Sequence, residues 1–269
     1  MKKPHILAID DERVILDSII KLCGGEGWQV DDAIDGDAAL KKLSAHSYDL
    51  VISDIMLPDT DGFEILNYIQ KNSIKSPVII TTGFTTVENA VKSLKTGAVD
   101  YLPKPFTYEE LISCLSRGLK LGEILKLTDQ SLSDTDAGTG SVVFAPCPSG
   151  YKRLGYYSWT YPENEGACKI GITDIFLHTI ESITGIEFMK LNDEVVQGNV
   201  CIQIETEDQL THSILSPLSC IIVDCNKDVE KEISLAEKDP YFKGWLYTII
   251  PGNPEQESEN LVSCSSDRL

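Results

Sequence analysis

Five short apolar runs, each followed by a stretch with helical apolar spacing, fill residues 1–127. The runs are His5-Ile6-Leu7-Ala8-Ile9, Gln29-Val30, Asp49-Leu50-Val51-Ile52-Ser53, Pro77–Thr81 and Val99–Leu102. The helical stretches are Val14–Leu22, which stops at Gly24-Gly25, then Gly36–Leu43, Gly62–Lys71, Val87–Lys95 and a last one from about Tyr108 to Leu127. Strict β-α alternation leaves few folds open. Parallel neighbours joined by right-handed crossovers, with helices on both faces, predict a five-stranded doubly wound α/β domain. In such sheets a site lies beyond the carboxyl ends of the strands. Asp10, Asp11, Asp54, Thr82 and Lys104 all fall there.

These residue types together point to phosphoryl chemistry. Adjacent carboxylates at Asp10 and Asp11 can reach one cation where the chain turns, and hard oxygen ligands suit Mg²⁺. A cation would offset the charge that keeps an aspartate nucleophile, Asp54, from a phosphoryl group. Lys104 supplies a second positive charge and the Thr82 hydroxyl a hydrogen bond. Taken singly, an acidic pair is an ordinary helix cap and Lys-Pro an ordinary turn. Each standing at the end of its own strand is what gives them functional weight, since loose phosphoryl transfer is mainly a matter of placing charge.

Four segments carry a family resemblance: Ile6-Leu7-Ala8-Ile9-Asp10-Asp11-Glu12; Ser53-Asp54-Ile55-Met56-Leu57-Pro58 with Asp61-Gly62; Pro77-Val78-Ile79-Ile80-Thr81-Thr82-Gly83; and Gly97-Ala98-Val99-Asp100-Tyr101-Leu102-Pro103-Lys104-Pro105-Phe106. Through them residues 1–127 resemble the flavodoxin-like receiver domain of two-component response regulators. The resemblance implies that Asp54 accepts a phosphoryl group from a histidine kinase or phosphotransfer protein. It implies Mg²⁺ held by Asp10, Asp11, Asp54 and the Met56 backbone carbonyl. It also implies Thr82 and Tyr101 as paired switch residues and a cis Lys104-Pro105 peptide. Gly83 replaces the family's common alanine and, being small, leaves room for the phosphoryl group.

The rest of the chain differs in character. Residues 128–142 are small, polar and aperiodic, which predicts a flexible linker. Residues 143–251 hold short β-rich runs, and 252–269 read as a polar disordered tail. Of the formal charge of −19, residues 1–127 hold 14 Lys/Arg against 19 Asp/Glu, leaving 9 against 23 beyond them. That second balance, −14, disfavours nucleic acid as a partner. No stretch approaches the roughly eighteen consecutive apolar residues of a membrane helix. The N-terminus runs directly into a strand rather than a signal peptide, so the expected location is cytoplasmic, with no membrane partner. The eight cysteines (Cys23, Cys114, Cys147, Cys168, Cys201, Cys220, Cys225 and Cys264) form no CxxC pair, and reduced thiols are expected.

Residues 143–251 resemble the H protein of the glycine cleavage system. The similarity rests on Tyr157-Ser158-Trp159-Thr160, Lys169-Ile170-Gly171-Ile172-Thr173-Asp174, Gly198–Thr206, Ser216-Pro217-Leu218-Ser219 and Asp239-Pro240-Tyr241-Phe242-Lys243-Gly244-Trp245-Leu246. It implies a mainly β, lipoyl-type sandwich with small helices, Thr173 or Asp174 capping one of them. The resemblance places the carrier lysine on a hairpin eight residues before Pro217, where this chain has Gln209. No lysine occurs between Lys190 and Lys227. A glutamine amide cannot form the lipoyl linkage, so no lipoate is expected. His212 reads as a surface histidine, His178 as packed or solvated, and Glu205, Glu207 and Asp208 as solvating the turn. Trp159, Trp245 and Tyr241 read as core, and Cys201, Cys220 and Cys225 as buried. The expectation is a phosphorelay response regulator, not a metabolic enzyme, whose H-protein-like domain docks onto an unidentified protein. The alternative is a phosphorylation-gated cofactor-carrier or redox subunit.

Overall fold

The computed structural model describes residues 3–83, 86–133 and 144–264. It divides into two compact units, residues 1–85 with 96–143 and residues 86–95 with 144–269. In chain order the first elements are β1 (His5–Ile9), α1 (Arg13–Gly25), β2 (Gln29–Ala33), α2 (Gly36–Ala45), β3 (Leu50–Asp54), α3 (Gly62–Lys71), β4 (Val78–Thr82), α4 (Val87–Lys95), β5 (Asp100–Pro103) and α5 (Tyr108–Ser133). The five strands form one parallel sheet in the order β2-β1-β3-β4-β5. β3 and β4 lie inside it and all their residues are buried, as unbroken apolar runs require.

Caps and breakers explain the helix limits. Asp35 accepts from the Ala38 N–H at the start of α2, and Asp61 from the Glu64 N–H at the start of α3. α1 runs through the Gly24-Gly25 pair expected to stop it. The left-handed residue is Gly27, at φ +76°, which lets the Trp28 N–H fold back to the Cys23 carbonyl. α5 continues to Ser133, six residues into the expected linker; the remainder of that linker, 134–142, lies outside the described residues.

The second unit is an antiparallel two-sheet sandwich. Its strands are β6 (Lys152–Leu154), β7 (Ser158–Pro162), β8 (Cys168–Ile172), β9 (Ile183–Phe188), β10 (Glu194–Val195), β11 (Val200–Thr206), β12 (Thr211–Leu215), β13 (Cys220–Cys225), β14 (Tyr247–Pro251) and β15 (Val262–Ser263). The short helices are α6 (Asp174–Leu177), α7 (Lys227–Lys231), α8 (Ser234–Lys238) and α9 (Pro254–Glu257). One sheet runs β10-β13-β14-β8-β7-β6-β15 and the other β12-β11-β9. Ile170, Ile172, Ile222, Tyr247 and Ile249 of the larger sheet share a buried core with Ile202, Ile204 and Ile214 of the smaller. Thr173 caps α6 by accepting from the Phe176 N–H. Gly171 has no side chain because a Cβ there would stand 2.5 Å from the Trp159 ring.

Three expectations need correction. Most of the supposed tail is folded. α9 and β15 lie within it, β15 pairs with β6, Leu261 and Cys264 are buried, and Glu257 accepts from the Ser219 N–H. Those few apolar residues are spaced too far apart to register as a strand or helix in the sequence. Next, Cys147 and Cys264 form a disulfide across 117 residues, with a Cα–Cα distance of 5.3 Å. It sits against Tyr151, Trp159 and Tyr241. The other six cysteines are free, and all six are buried, as expected for Cys201, Cys220 and Cys225; burial pushes the Cys220 thiol up to about 11 and Cys23 up to about 12. Finally, His212 is 3% exposed rather than at the surface.

No helix among the described residues is long and apolar enough to cross a membrane.

Candidate functional site: an acidic pocket and a lysine-free hairpin

Sheet register builds the first site. Ala8 stands opposite Ile52, Asp54 opposite Thr81, and Thr81 opposite Leu102. Side chains alternate along a strand, so Asp10, Asp54 and Lys104 continue one parity at the ends of β1, β3 and β5, with β4 between the last two. Lys104 Nζ lies 2.9 Å from Asp54 Oδ2 and 2.6 Å from Asp10 Oδ2, with Glu12 Oε1 at 3.8 Å. Asp11, which is exposed, completes the group: one oxygen each of Asp10, Asp11 and Asp54 lies within 4.8 Å of the others. Asp10 Oδ1 also accepts from the Glu12 N–H at 3.0 Å.

The backbone beside Asp54 is held closely. Gly62 at the start of α3 touches it, and a Cβ there would stand 2.3 Å from the Asp54 carbonyl oxygen. Met56 forms a bridge with Asp61 that shapes the loop between them. Thr82 is fully buried and ends β4, its carbonyl accepting from the Lys104 N–H at 2.8 Å. The Lys104-Pro105 peptide is cis. Tyr101, opposite Ile80, shares the parity of Thr82 rather than that of the charged group. Its ring is half-buried and its hydroxyl is buried with no hydrogen-bond partner among the described residues.

Electrostatics poise this pocket for a cation and an anion. Burial raises the pKa of Asp10, and the Asp54 charge adds to this, while Lys104 and the Glu12 N–H oppose it. Burial alone would lower the pKa of Lys104, yet hydrogen bonds to Asp10 and Asp54 leave it above the ordinary lysine value. Asp54 Oδ1 is buried with no hydrogen-bond partner among the described residues. An orphan carboxylate oxygen beside two further carboxylates is the donor set a divalent cation takes, so the residues present fit Mg²⁺. One ammonium alone leaves a net negative pocket.

In the second unit, β11 and β12 form the hairpin whose turn carries Gln209 at φ +65°. The Gln209 N–H donates to the Thr206 carbonyl at 2.9 Å. Thr206 Oγ1 lies 2.5 Å from Asp208 Oδ1 and 3.2 Å from His212 Nε2. Burial would raise the Asp208 carboxyl, but Thr206, the Leu210 N–H and His212 bring it below the usual aspartate range. His212 is thus buried as part of the network that fixes the turn. Asp208 belongs to that network instead of merely solvating the turn. Trp159 and Tyr241 are core residues, Trp159 Nε1 donating to the Pro240 carbonyl at 3.1 Å, whereas Trp245 is half-buried with Lys169 Nζ 4.8 Å from its ring centroid. His178 caps α6, its Nδ1 2.9 Å from the Asp174 carbonyl.

Comparison with known proteins places both halves. Residues 6–116 match the response regulator receiver domain family, and the pocket with its parallel sheet is the receiver's. Residues 151–267 match the glycine cleavage H-protein family, so the chain is a receiver domain followed by an H-protein domain. The transcriptional regulatory protein TrcR of Mycobacterium tuberculosis is 39% identical over 115 residues, 43% of this chain and 44% of that protein. DltR of Streptococcus agalactiae, also named a transcriptional regulatory protein, is 31% identical over 137 residues, 51% of this chain and 61% of that one. The chain therefore spans about half the length of the curated relatives it matches. Among solved structures, a receiver domain of Francisella response regulator 1452 is 36% identical, covering 41% of this chain and 91% of that one at a TM-score of 0.40. The chemotaxis response regulator CheY4 of Vibrio cholerae is 31% identical, covering 44% and 100% at 0.42.

Sequence reasoning named Asp10, Asp11, Asp54 and Lys104, which lie together here, but not Glu12, whose carboxylate also faces Lys104. It missed the buried Asp100–Arg117 pair, in which Arg117 Nη2 lies 2.5 Å from Asp100 Oδ2. An arginine ten residues into a helix gives no sequence signal of being buried.

Proposed function

We propose that this chain is a phosphorelay response regulator in which Asp54 accepts a phosphoryl group from a histidine kinase or phosphotransfer protein. The observation that carries the reading is the buried Asp54 carboxylate, with one oxygen on Lys104, the other without a hydrogen-bond partner among the described residues, and Asp10 and Asp11 close by. In the transfer an Asp54 oxygen bonds to phosphorus as the bond from phosphorus to the donor's leaving atom breaks, and that leaving atom keeps the electron pair and takes up a proton. Lys104 faces the phosphoryl oxygens, and the Thr82 hydroxyl donates to one of them. Receiver domains generally bind Mg²⁺, and here Asp10, Asp11, Asp54 and the Met56 carbonyl would hold it. When bound, it offsets the negative charge of the carboxylates and the phosphoryl group. Thr82 and Tyr101 then change position, and the chain offers a different surface to its partner.

The H-protein domain serves as a docking module for a protein partner, not as a carrier. Gln209 at the turn has no amine to acylate. DNA binding like that implied by the relatives' names is disfavoured by the −14 balance beyond residue 127. The second reading, a phosphorylation-gated carrier or redox subunit, is favoured by the intact hairpin and the H-protein match. It requires attachment elsewhere. No independent metabolic activity is proposed. Incubation with acetyl phosphate and Mg²⁺ should add one acid-labile phosphoryl mass to the wild type and none to Asp54→Asn. Equal labelling of the two would sink the assignment. Intact mass of the protein from its native host decides between module and carrier.

A further inference from the structure

At the start of strand β5, one largely buried charge pair is used by none of the chemistry above. Asp100 is 3% exposed. Its Oδ2 accepts from Arg117 Nη2 of helix α5 at 2.5 Å, and its Oδ1 accepts from the N–H of Tyr101 at 2.7 Å. Arg117 Nη1 donates in turn to the buried Ser113 Oγ, one helical turn earlier, at 2.6 Å. Among the described residues β5 is an edge strand, paired with β4 alone, so alternate N–H groups along it have no ladder partner there. Asp100 fills that role for Tyr101. A single carboxylate therefore ties the backbone of Tyr101 to the middle of α5. One bond reaches α5 and the other the main chain of Tyr101, whose ring, opposite in parity to Asp100, faces the side shared with Thr82.

We infer that Arg117 and Asp100 are a positioning pair that makes α5 follow the movement of Tyr101 when Asp54 is phosphorylated. The inference rests on the phosphoryl-acceptor reading above. Among the described residues no hydrogen bond holds the buried Tyr101 hydroxyl in place. The Asp100 carboxylate, by contrast, is bonded both to the Tyr101 N–H and to Arg117. Pulling a carboxylate this well buried away from its guanidinium is costly, so a shift of the Tyr101 backbone carries Asp100, and Asp100 carries Arg117. α5 is the last receiver element before the segment leading to the H-protein domain, which makes it the natural element to carry the signal onward. Ordinary edge-strand anchoring would need only one of these bonds.

The test uses the full chain, acetyl phosphate with Mg²⁺ as the probe, and hydrogen exchange read on peptides of β5 and α5. In the wild type, phosphorylation should change exchange at least threefold in both. Arg117→Met should label at Asp54 at the wild-type rate and keep the β5 response, while the α5 response falls to baseline. Arg117→Lys, which keeps a cation within reach of Asp100, should restore at least half of it. Unchanged exchange in β1 and β3 serves as the fold control, and Asp100→Asn provides a second lesion if Arg117→Met does not fold. A phosphorylated Arg117→Met or Asp100→Asn chain whose α5 responds like the wild type overturns the inference. So does a labelled wild type whose α5 is silent. A wild type that takes no label overturns the acceptor reading itself, and the coupling with it.

Discussion

Replacing Lys104 by methionine removes the ammonium that holds two buried carboxylates. Lys104, Asp10 and Asp54 have side chains 8%, 1% and 7% exposed, and the contacts are 2.6 and 2.9 Å. At an effective dielectric near 20, each contact carries roughly 6 kcal/mol of Coulomb attraction. Most of that offsets the desolvation of the three groups. Deleting one partner of a buried pair leaves a net loss of about 3–5 kcal/mol, and methionine fills most of the vacated volume. Urea unfolding at neutral pH without divalent cations should show that loss. Mg²⁺ should then return a large part of it, since a ligand binding only the folded state adds about 2.7 kcal/mol at a hundred times its Kd. The wild type should gain less, because its ammonium competes for the same oxygens.

The pH dependence of this variant follows from the same contacts. Burial raises the Asp10 pKa in the folded state, so folded protein takes up a proton at higher pH than the unfolded chain. Acidification from neutral through the interval between that raised value and the ordinary 3.8 should therefore restore stability to the variant. Lys104 itself sits above its ordinary 10.5. Its contribution in the wild type is complete at neutral pH and is lost only as pH rises through the folded value. A variant as stable as wild type without Mg²⁺, or one indifferent to both Mg²⁺ and acid, would refute the electrostatic account.

Other outcomes test neighbouring features. Gly62→Ala forces a Cβ toward the Asp54 carbonyl, and should cost about 1–3 kcal/mol in urea unfolding and slow acetyl phosphate labelling. Gln209→Lys places an amine at the hairpin turn, and a lipoate-attaching enzyme supplied with ATP and lipoate should add a lipoyl mass to it and none to the wild type. Failure alongside a labelled carrier H protein would mean that the turn does not present residue 209 as a carrier presents its lysine. Reducing the Cys147–Cys264 bond should lower second-domain stability by about 2–5 kcal/mol, as expected for a loop this long, and leave Asp54 labelling intact. An unchanged tryptophan-monitored transition would show that the bond adds nothing.

The receiver was legible because its evidence is local. Apolar runs ending in Asp10, Asp54 and Lys104 state both the sheet and the site, and parallel register then brings them together. Boundaries set by a single φ angle were not legible: Gly24 and Gly25 stay helical while Gly27 turns the chain. The second domain was read from motifs, and what escaped notice there is long-range. Cys147 and Cys264 are 117 residues apart with no spacing rule to join them. His212 looked polar enough for the surface until its Thr206 and Asp208 partners were placed. Nothing local in the sequence joins Arg117 to Asp100, 17 residues before it.

The length of α5 has a mechanical consequence. At 26 residues it spans about 39 Å at 1.5 Å per residue. Arg117 grips it near its first third, and past that grip the helix still lies against the receiver, with Gly122 packed on Pro77 and Lys126 Nζ 3.1 Å from Asp49 Oδ1. A tilt of about 10° about that grip would sweep the far end by roughly 4 Å, given the same helical rise. A displacement too small to see at Tyr101 would thereby become one large enough to admit or exclude a binding partner at the other end.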